Sequence, residues 1–412
     1  MDRTWQGLPS VYQASLRKIS YYYKMHPSPS AMTDQPKTTS KRILAFDILR
    51  GYFILLIASV HLHYYPSLLG LFDGRGQIWT SEAEGFFFIS GLLIGIIRRR
   101  DITTGGFKVA AAKLWRRSGR LYVVSIALSI LYLVIARDAA FYGIAGFKEG
   151  LDQTSNFVPL LVRVVTLGYS YGWADFLNYY VVFLFLSPFL LWLLVRRQWL
   201  IVLLLVASGW VLRWSGDWGT FNPYLQWQIF FFMGVILGFY WPRLEHAFRS
   251  LPSARRKLIK VGAVTASTLI YLSGMILVFI PQYFEHRVVP GGFWGGVTHL
   301  IQTAAANPWY QSMLVDGRLG LLRPLVWLMV LGGMYVIVRR FESRILRVAG
   351  WLLVAFGANS LYAYILQSVL LFGVAFVLVP SGFIINSIIE ISIIMLVWLA
   401  IRKRFLFRII PR

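Results

Sequence analysis

The sequence predicts an all-helical polytopic membrane protein, a bundle of about ten transmembrane helices with both termini in the cytoplasm. Hydrophobic residues make up 57% of the 412 residues, charged residues only 14%, and the mean hydropathy is +0.61. A soluble protein carries roughly 25% charged residues, which cover its surface. Apolar runs recur from residue 44 to the C-terminus. The composition therefore predicts one membrane domain that faces lipid.

The apolar runs define the predicted spans. A helix needs about 20 apolar residues to cross the hydrocarbon core, or fewer where neighbouring helices shelter it. Such runs lie near 44–64, 83–97, 120–136, 176–195, 199–213, 224–240, 261–280, 324–338, 351–379 and 382–401. The ninth run is long enough to be broken or strongly tilted. Arg163 interrupts a further segment, 157–171, for which we predict an amphipathic or re-entrant piece on the outer side.

The basic residues set the orientation of these spans. With the N-terminus inside, about 32 of the 41 Lys and Arg fall in cytoplasmic segments and about 8 outside. A full span at 157–171 would break this alternation. Topology therefore explains the net charge of +24, and we predict that the protein does not bind nucleic acid.

Three regions follow from this layout. We predict a flexible cytoplasmic tail over 1–42, a transmembrane domain over 43–402 and a basic cytoplasmic tail over 403–412. Because the chain has no cysteine, disulfides, thiolate metal sites and a cysteine-borne acyl intermediate are excluded. We find no phosphate-binding loop, nucleophile elbow or zinc motif, so we predict neither a metal nor a permanently bound cofactor. The oligomeric state is left open.

The first span carries ionisable residues on one face. Asp47, Arg50 and His61 fall within one helical stripe about 60° wide. Arg50 and His61 are separated by about 16 Å of rise, which places Arg50 toward the cytoplasm and His61 near the outer mouth. A cation partway along a span can hold a carbonyl or a phosphate, and a histidine at the outer end can deprotonate a hydroxyl. Asp47 lies one turn before Arg50 and can pair with it.

The same residues admit a structural interpretation. Asp47 and Arg50 can form an ion pair at the inner interface, with His61 an interfacial residue beside His63. Ionisable groups inside a membrane are costly and mark functional sites by default. The face that the three residues share favours the functional hypothesis.

The second span begins with an acidic residue that is followed by spaced glycines. Glu84, Phe88, Gly91 and Gly95 share one helix face. In a functional interpretation, Glu84 orients His61 across the outer mouth, and the glycine groove admits a thin acyl or pantetheine chain. In a structural interpretation, Gly91-x-x-x-Gly95 packs closely against another helix, which the glycine spacing alone favours.

Basic residues bracket the loop between the second and third spans. Arg98, Arg116, Arg117 and Arg120 can bind the phosphates of coenzyme A as fixed cations. The positive-inside rule explains most of this charge without a ligand. Both interpretations stay open at this point.

Short motifs follow one another in a characteristic order along the chain. They are Asp47-x-x-Arg50-Gly51 with His61; Ser81-x-x-Glu84 leading into Phe88-Ile89-Ser90-Gly91; Arg116-Arg117-x-x-Arg120-Leu121-Tyr122; Leu177-Asn178-Tyr179-Tyr180 with Ser187-Pro188; Asn222-Pro223 followed by Trp227-Gln228 and Gly234; and Gly357-x-Asn359-Ser360-Leu361. In this order, over 42–400, the chain resembles the OpgC-type membrane acyltransferases, relatives of acyltransferase family 3 that decorate periplasmic glucans. The chain departs from the usual pattern at Gln367, near the place of a histidine, and at Val60, where an acidic or polar residue is common.

The resemblance implies an acyltransferase of the inner membrane. It implies an acyl donor on coenzyme A, such as succinyl-CoA, as co-substrate, and a hydroxyl of a periplasmic glucan or related glycan as acceptor. His61 is then the predicted general base and Glu84 its orienting residue. Arg50, paired with Asp47, holds the acyl or pantetheine carbonyl.

A second hypothesis comes from a different class of protein. In a transporter or flippase for a lipid-linked glycan, the same polar residues would line a translocation path. Transporters of this kind often show inverted repeats with paired broken helices. We see no such pattern in the sequence, which favours the acyltransferase.

Overall fold

The computed structural model describes residues 43–73, 81–141, 157–170, 172–276, 292–308, 320–378 and 381–411. These residues are predominantly helical and include no strand, which confirms the predicted fold class for this part of the chain. The helices are α1 (Leu44–Leu62), α2 (Glu82–Gly105), α3 (Phe107–Phe141), α4 (Phe157–Val165), α5 (Asp175–Val195), α6 (Trp199–Ser215), α7 (Asn222–Ser250), α8 (Ser253–Gly274), α9 (Phe293–Ala305), α10 (Arg323–Ala358), α11 (Ser360–Val377) and α12 (Phe383–Lys403). Short helical turns cover Gly70–Asp73, Gly172–Ala174 and Gly219–Phe221. The predicted tail 1–42 lies outside the described residues. So does most of 281–323, the segment between the seventh and eighth predicted spans, which the predicted topology places on the outer side.

Six helices in the described part of the chain are long and apolar enough to cross a membrane. Three of them, α1, α5 and α12, begin and end within two residues of the predicted spans 44–64, 176–195 and 382–401. The other three are 107–136 within α3, 219–250 around α7, and α10, whereas α6 and the segment 360–374 are apolar but shorter. The total of ten spans and the cytoplasmic position of both termini stay predictions.

Helix α4 has nine residues. Its length is about 14 Å, which is too short to cross the hydrocarbon core. Arg163, in the last turn of this helix, is exposed. The segment 157–171 is therefore not a span, in agreement with the sequence.

Helices α2 and α7 pack through glycines on both helices. Each of four glycines lies directly against the facing backbone, so that an added Cβ would overlap a carbonyl oxygen there. The pairs are Gly91 with Phe231, Gly95 with Val235, Gly234 with Phe88 and Gly238 with Leu92. Glycines one turn apart allow such close approach in a membrane. Helix α7 thus fills the glycine groove of α2, where the functional interpretation had placed an acyl or pantetheine chain.

Helix α1 is central to the bundle and contacts α2, α10, α11 and α12. Most of its residues are buried, including Asp47. Its crossing with α10 is again made by glycines, because Gly51 lies against the backbone of Leu353 and Gly357 against the backbone of Asp47. The predicted polar stripe therefore lies inside the protein.

Helix α10 bends strongly within its length. Near its start, Tyr335 stacks on Phe46 with ring centroids 5.3 Å apart. Gly357 lies against Asp47, the next residue of α1. A straight helix would separate Tyr335 from Gly357 by about 33 Å, so the helix must bend between these two residues. The predicted spans 324–338 and 351–379 are corrected accordingly.

One continuous but bent helix covers the first of these spans and the start of the second, and the second is interrupted at Asn359. The helical hydrogen bonds persist through the bend. The predicted span ended at 338, before the charged residues that follow, whereas the helix continues to Ala358. The interruption at Asn359 fits one of the two alternatives predicted for the ninth span, that it is broken rather than strongly tilted.

Contacts between helices also give their relative directions. Helices α2 and α7 run parallel, as do α1 and α11, whereas α1 and the first part of α10 are antiparallel. For α2 and α7 the contacts are Gly91–Phe231 and Gly95–Val235. For α1 and α11 they are Arg50–Ser360 and His61–Tyr364. For α1 and α10 they are Phe53–Trp327 and Phe46–Tyr335. The predicted layout of spans requires the same three relative directions.

Candidate functional site

Arg50 is held by side chains from two neighbouring helices. It lies in the second turn of α1 and is half-buried. Its Nη2 donates a hydrogen bond to Oγ of Ser360, the first residue of α11. Its guanidinium carbon lies 5.6 Å from the centroid of the Phe86 ring on α2, within the range of a cation–π interaction. The side chain is therefore a fixed cation inside the bundle.

Asp47 is buried, with 4% of its surface exposed. It lies one turn before Arg50, at the point where α10 crosses α1. The predicted pairing of its carboxylate with Arg50 stays a prediction.

His61 lies in the last turn of α1, on the stripe of Arg50. Its Nδ1 is buried and has no hydrogen-bond partner among the described residues. The ring of Tyr364 on α11 meets the imidazole edge to face, with centroids 6.2 Å apart. Trp173 bridges the two residues: its Nε1 donates to the backbone oxygen of His61 at 3.0 Å, and its own backbone oxygen accepts from the Tyr364 hydroxyl at 2.8 Å. The backbone and one face of the histidine are thus fixed, while Nδ1 stays open.

Glu84 has partners other than the predicted one. Its carboxylate forms an ion pair with Nε of Arg323, the first residue of α10. Its second oxygen accepts from the backbone N–H of Ser81 at 2.8 Å in a capping box at the start of α2. We predicted that Glu84 orients His61, yet Nδ1 of His61 donates no hydrogen bond to its carboxylate. The carboxylate instead joins the N-terminal ends of α2 and α10.

Glu390 on α12 was missed in the sequence. It is 2% exposed and accepts three hydrogen bonds from the chain around the end of α1. The donors are Oγ of Ser59 at 2.6 Å, Oγ of Ser67 at 2.7 Å and the backbone N–H of Leu69 at 3.2 Å. Glu390 therefore fixes both sides of the segment that contains His61. An acidic residue within the apolar run Ile388–Met395 was the signal, because intramembrane carboxylates rarely lack a function.

The four arginines predicted to bind phosphate lie at the facing ends of α2 and α3. Arg98 pairs with Asp101, which also binds Nζ of Lys113 at 2.9 Å. Arg117 is half-buried over the ring of Tyr180 at 5.8 Å, and its charge acts on Arg98. Arg98 and Arg117 are thus brought together, and Asp101 offsets part of their charge.

Arg116 and Arg120 lie on α3 next to this cluster, and both are exposed. Exposed guanidinium groups can bind a ligand in solution. The positive-inside rule also explains their position without a ligand. The arrangement is compatible with phosphate binding, which stays a prediction. Among the residues that the structure describes, no group of three His, Asp or Glu side chains could hold a metal ion.

These contacts define a helical membrane protein with polar residues fixed along one central helix. A family model, described as OpgC protein, matches residues 42–408, and the chain belongs to this family. No curated protein and no solved structure matches the chain. Family membership indicates a membrane transferase that modifies glucans.

Proposed function

We propose that this protein is an O-acyltransferase of the inner membrane that moves an acyl group, such as succinyl, from cytoplasmic acyl-CoA to a hydroxyl of a periplasmic glucan or related glycan. The observation that carries the proposal is the line of side chains on α1. A fixed cation, Arg50, and a histidine with an open, buried nitrogen, His61, lie about 16 Å apart along one helix. Because the donor is made inside the cell and the acceptor lies outside it, one group must hold the donor and another, farther out, must activate the acceptor.

His61 acts as the general base on the acceptor hydroxyl. A base must carry a nitrogen that is free to accept a proton, and Nδ1 of His61 is buried without a partner among the described residues. The bonds that Trp173 and Glu390 make around this segment restrict where the imidazole lies. They thus supply the orientation that we had assigned to Glu84.

Arg50 holds the donor deeper in the membrane. Its guanidinium already donates to Ser360 and retains further N–H groups for a carbonyl or phosphate oxygen. On the cytoplasmic side, Arg98, Arg116, Arg117 and Arg120 provide the charge that would hold the phosphates of coenzyme A. The cysteine-free sequence means that the acyl group is not carried on a thiol of this protein.

Mass spectrometry of periplasmic glycans tests the proposal. Cells that lack the protein are compared with cells that carry it, His61→Ala or His63→Asn. His63 is exposed and adopts a left-handed backbone conformation with φ 56°, which asparagine tolerates, so it is the matched control. We expect an ester-labile acyl mass with the intact protein and the control, and none with His61→Ala.

Two outcomes would overturn the proposal. Acylation that persists in His61→Ala would remove the histidine from the chemistry. Unchanged glycan modification together with a glycan that accumulates inside cells lacking the protein would instead indicate a transporter.

A further inference from the structure

Gln367 on α11 is a buried amide with both of its polar atoms open. Only 1% of its surface is exposed, and neither Oε1 nor Nε2 has a hydrogen-bond partner within the described ranges. Buried side-chain amides are normally paired, because an unpaired polar group is costly in an apolar interior. Both polar atoms of Gln367 are therefore available to form hydrogen bonds with a ligand.

The neighbours of Gln367 on its helix place it at the depth of His61. Tyr364, Gln367 and Leu371 lie at positions i, i+3 and i+7 and share one face of α11. The ring of Tyr364 contacts His61, and Leu371 packs with the residues that immediately flank the histidine segment, Leu62 and Tyr64. The amide between them therefore faces the outer end of α1.

Other donors near His61 are already engaged. The Tyr364 hydroxyl donates to the backbone of Trp173, and the Trp173 indole donates to the backbone of His61. The guanidinium of Arg50 bonds Ser360, and its Cα lies about 16 Å along the helix from that of His61. Of these four side chains, only Gln367 offers an uncommitted N–H at the depth of the imidazole.

A primary amide presents one donor group and one acceptor atom. The two groups that react in O-acyl transfer are complementary to it, because a thioester carbonyl accepts and a sugar hydroxyl donates. We propose that Gln367 is a catalytic residue that donates from Nε2 to the carbonyl oxygen of the transferred acyl group. This inference rests on the function proposed above.

The acyl group is transferred in two stages, addition of the hydroxyl and loss of the thiolate. The hydroxyl oxygen forms a bond to the thioester carbon while His61 takes its proton, and the carbonyl electrons move onto the oxygen that Gln367 binds. The carbonyl then re-forms as the carbon–sulfur bond breaks, and coenzyme A leaves as a thiolate that takes the proton from His61. A hydrogen bond to that oxygen strengthens as its charge grows and so lowers the barrier.

Steady-state kinetics of the purified full-length protein in lipid nanodiscs test the inference, with acyl-CoA and a glucan oligosaccharide as substrates. Gln367→Met removes the N–H donor at similar side-chain length, whereas Gln367→His keeps one. We expect kcat to fall about 100- to 1,000-fold in Gln367→Met, with both KM values within about threefold, and Gln367→His to stay within about tenfold of the intact protein. Val369→Ala, on an exposed part of the same helix, controls for damage to α11.

Each result separates this inference from the function on which it rests. Normal kcat in Gln367→Met would overturn the catalytic role of Gln367. A raised KM for acyl-CoA with normal kcat would also overturn it, and would make the amide a binding group for the pantetheine arm. An intact protein that transfers no acyl group to any glucan would overturn the proposed function itself.

Discussion

Arg323 and Glu84 form an ion pair across 239 residues of sequence. Glu84 is fully buried, and the Arg323 side chain is 7% exposed. The pair joins the first residue of α10 to the first turn of α2, next to the indole of Trp327, whose Nε1 lies 3.4 Å from the backbone oxygen of Ser81. It is a structural connection between the N-terminal ends of two helices.

Removing one partner of this pair should destabilise the protein strongly. Glu84→Ala leaves the buried Arg323 without its counter-charge, at an expected cost of about 3–5 kcal/mol. The expected result is a much lower unfolding temperature in detergent, measured by the loss of the monodisperse peak on heating.

The double variant Glu84→Leu with Arg323→Met supplies the control for this prediction. Because it removes both charges and keeps apolar volume, it should recover much of the stability that either single variant loses. Additive losses in the double variant would show that the two side chains do not stabilise each other.

The glycine crossing of α2 and α7 should tolerate no side chain. Gly234→Leu would press against the backbone of Phe88 and force the helices apart, so we expect little folded protein. Gly119→Leu is the matched control, since an added Cβ at Gly119 meets nothing within 4 Å. Folded yield, measured by fluorescence-detected size exclusion, compares the two. Equal yields would contradict the packing.

Glu390 should support activity through the position of the His61 segment. Glu390→Leu leaves the hydroxyls of Ser59 and Ser67 without their acceptor, at an expected cost of about 1–3 kcal/mol for each unpaired buried group. We expect lower stability and lower kcat, with a smaller effect for Glu390→Gln, which keeps one acceptor oxygen. Ile388→Leu, on an exposed part of the same helix, should change neither. Acylation by Glu390→Leu at the normal rate would exclude a role in positioning.

Single cysteines test the predicted topology without background, because the chain has none. Ser215, Ser250 and Ser343 are exposed and follow the predicted spans 199–213, 224–240 and 324–338, respectively. A membrane-impermeant maleimide should label Ser215→Cys from the periplasm, and should label Ser250→Cys and Ser343→Cys only after lysis. Periplasmic labelling at position 343 would contradict the direction assigned to α10.

The sequence alone predicted the features that depend on interactions between neighbours in the chain. Hydropathy placed α1, α5 and α12 within two residues, because the length of an apolar run and its flanking charges decide where a span lies. The stripe of Arg50 and His61 followed from helix periodicity alone. Partners distant in sequence could not be predicted in this way.

Ser360, Arg323 and Glu390 meet their partners across 310, 239 and 331 residues, respectively. Which polar groups meet is set by how the helices pack, and no pattern within one span encodes it. The change of direction between 338 and 351 was implied by the predicted spans, but the continuity of α10 through it was not, because helical hydrogen bonds can continue through a bend.

The parallel crossing of α2 and α7 has a consequence for biosynthesis. The contacting residues Gly91 and Phe231 lie 140 positions apart in the sequence. At ordinary rates of translation, α2 is therefore in the membrane for on the order of ten seconds before its partner is made. Arg323 is synthesised later still, and until then Glu84 has no counter-ion. A nascent chain that stops before α7 therefore presents a bare glycine face to the bilayer, and one that stops before α10 presents an unmatched acid. Both are features by which membrane quality control can tell an unfinished molecule from a complete one.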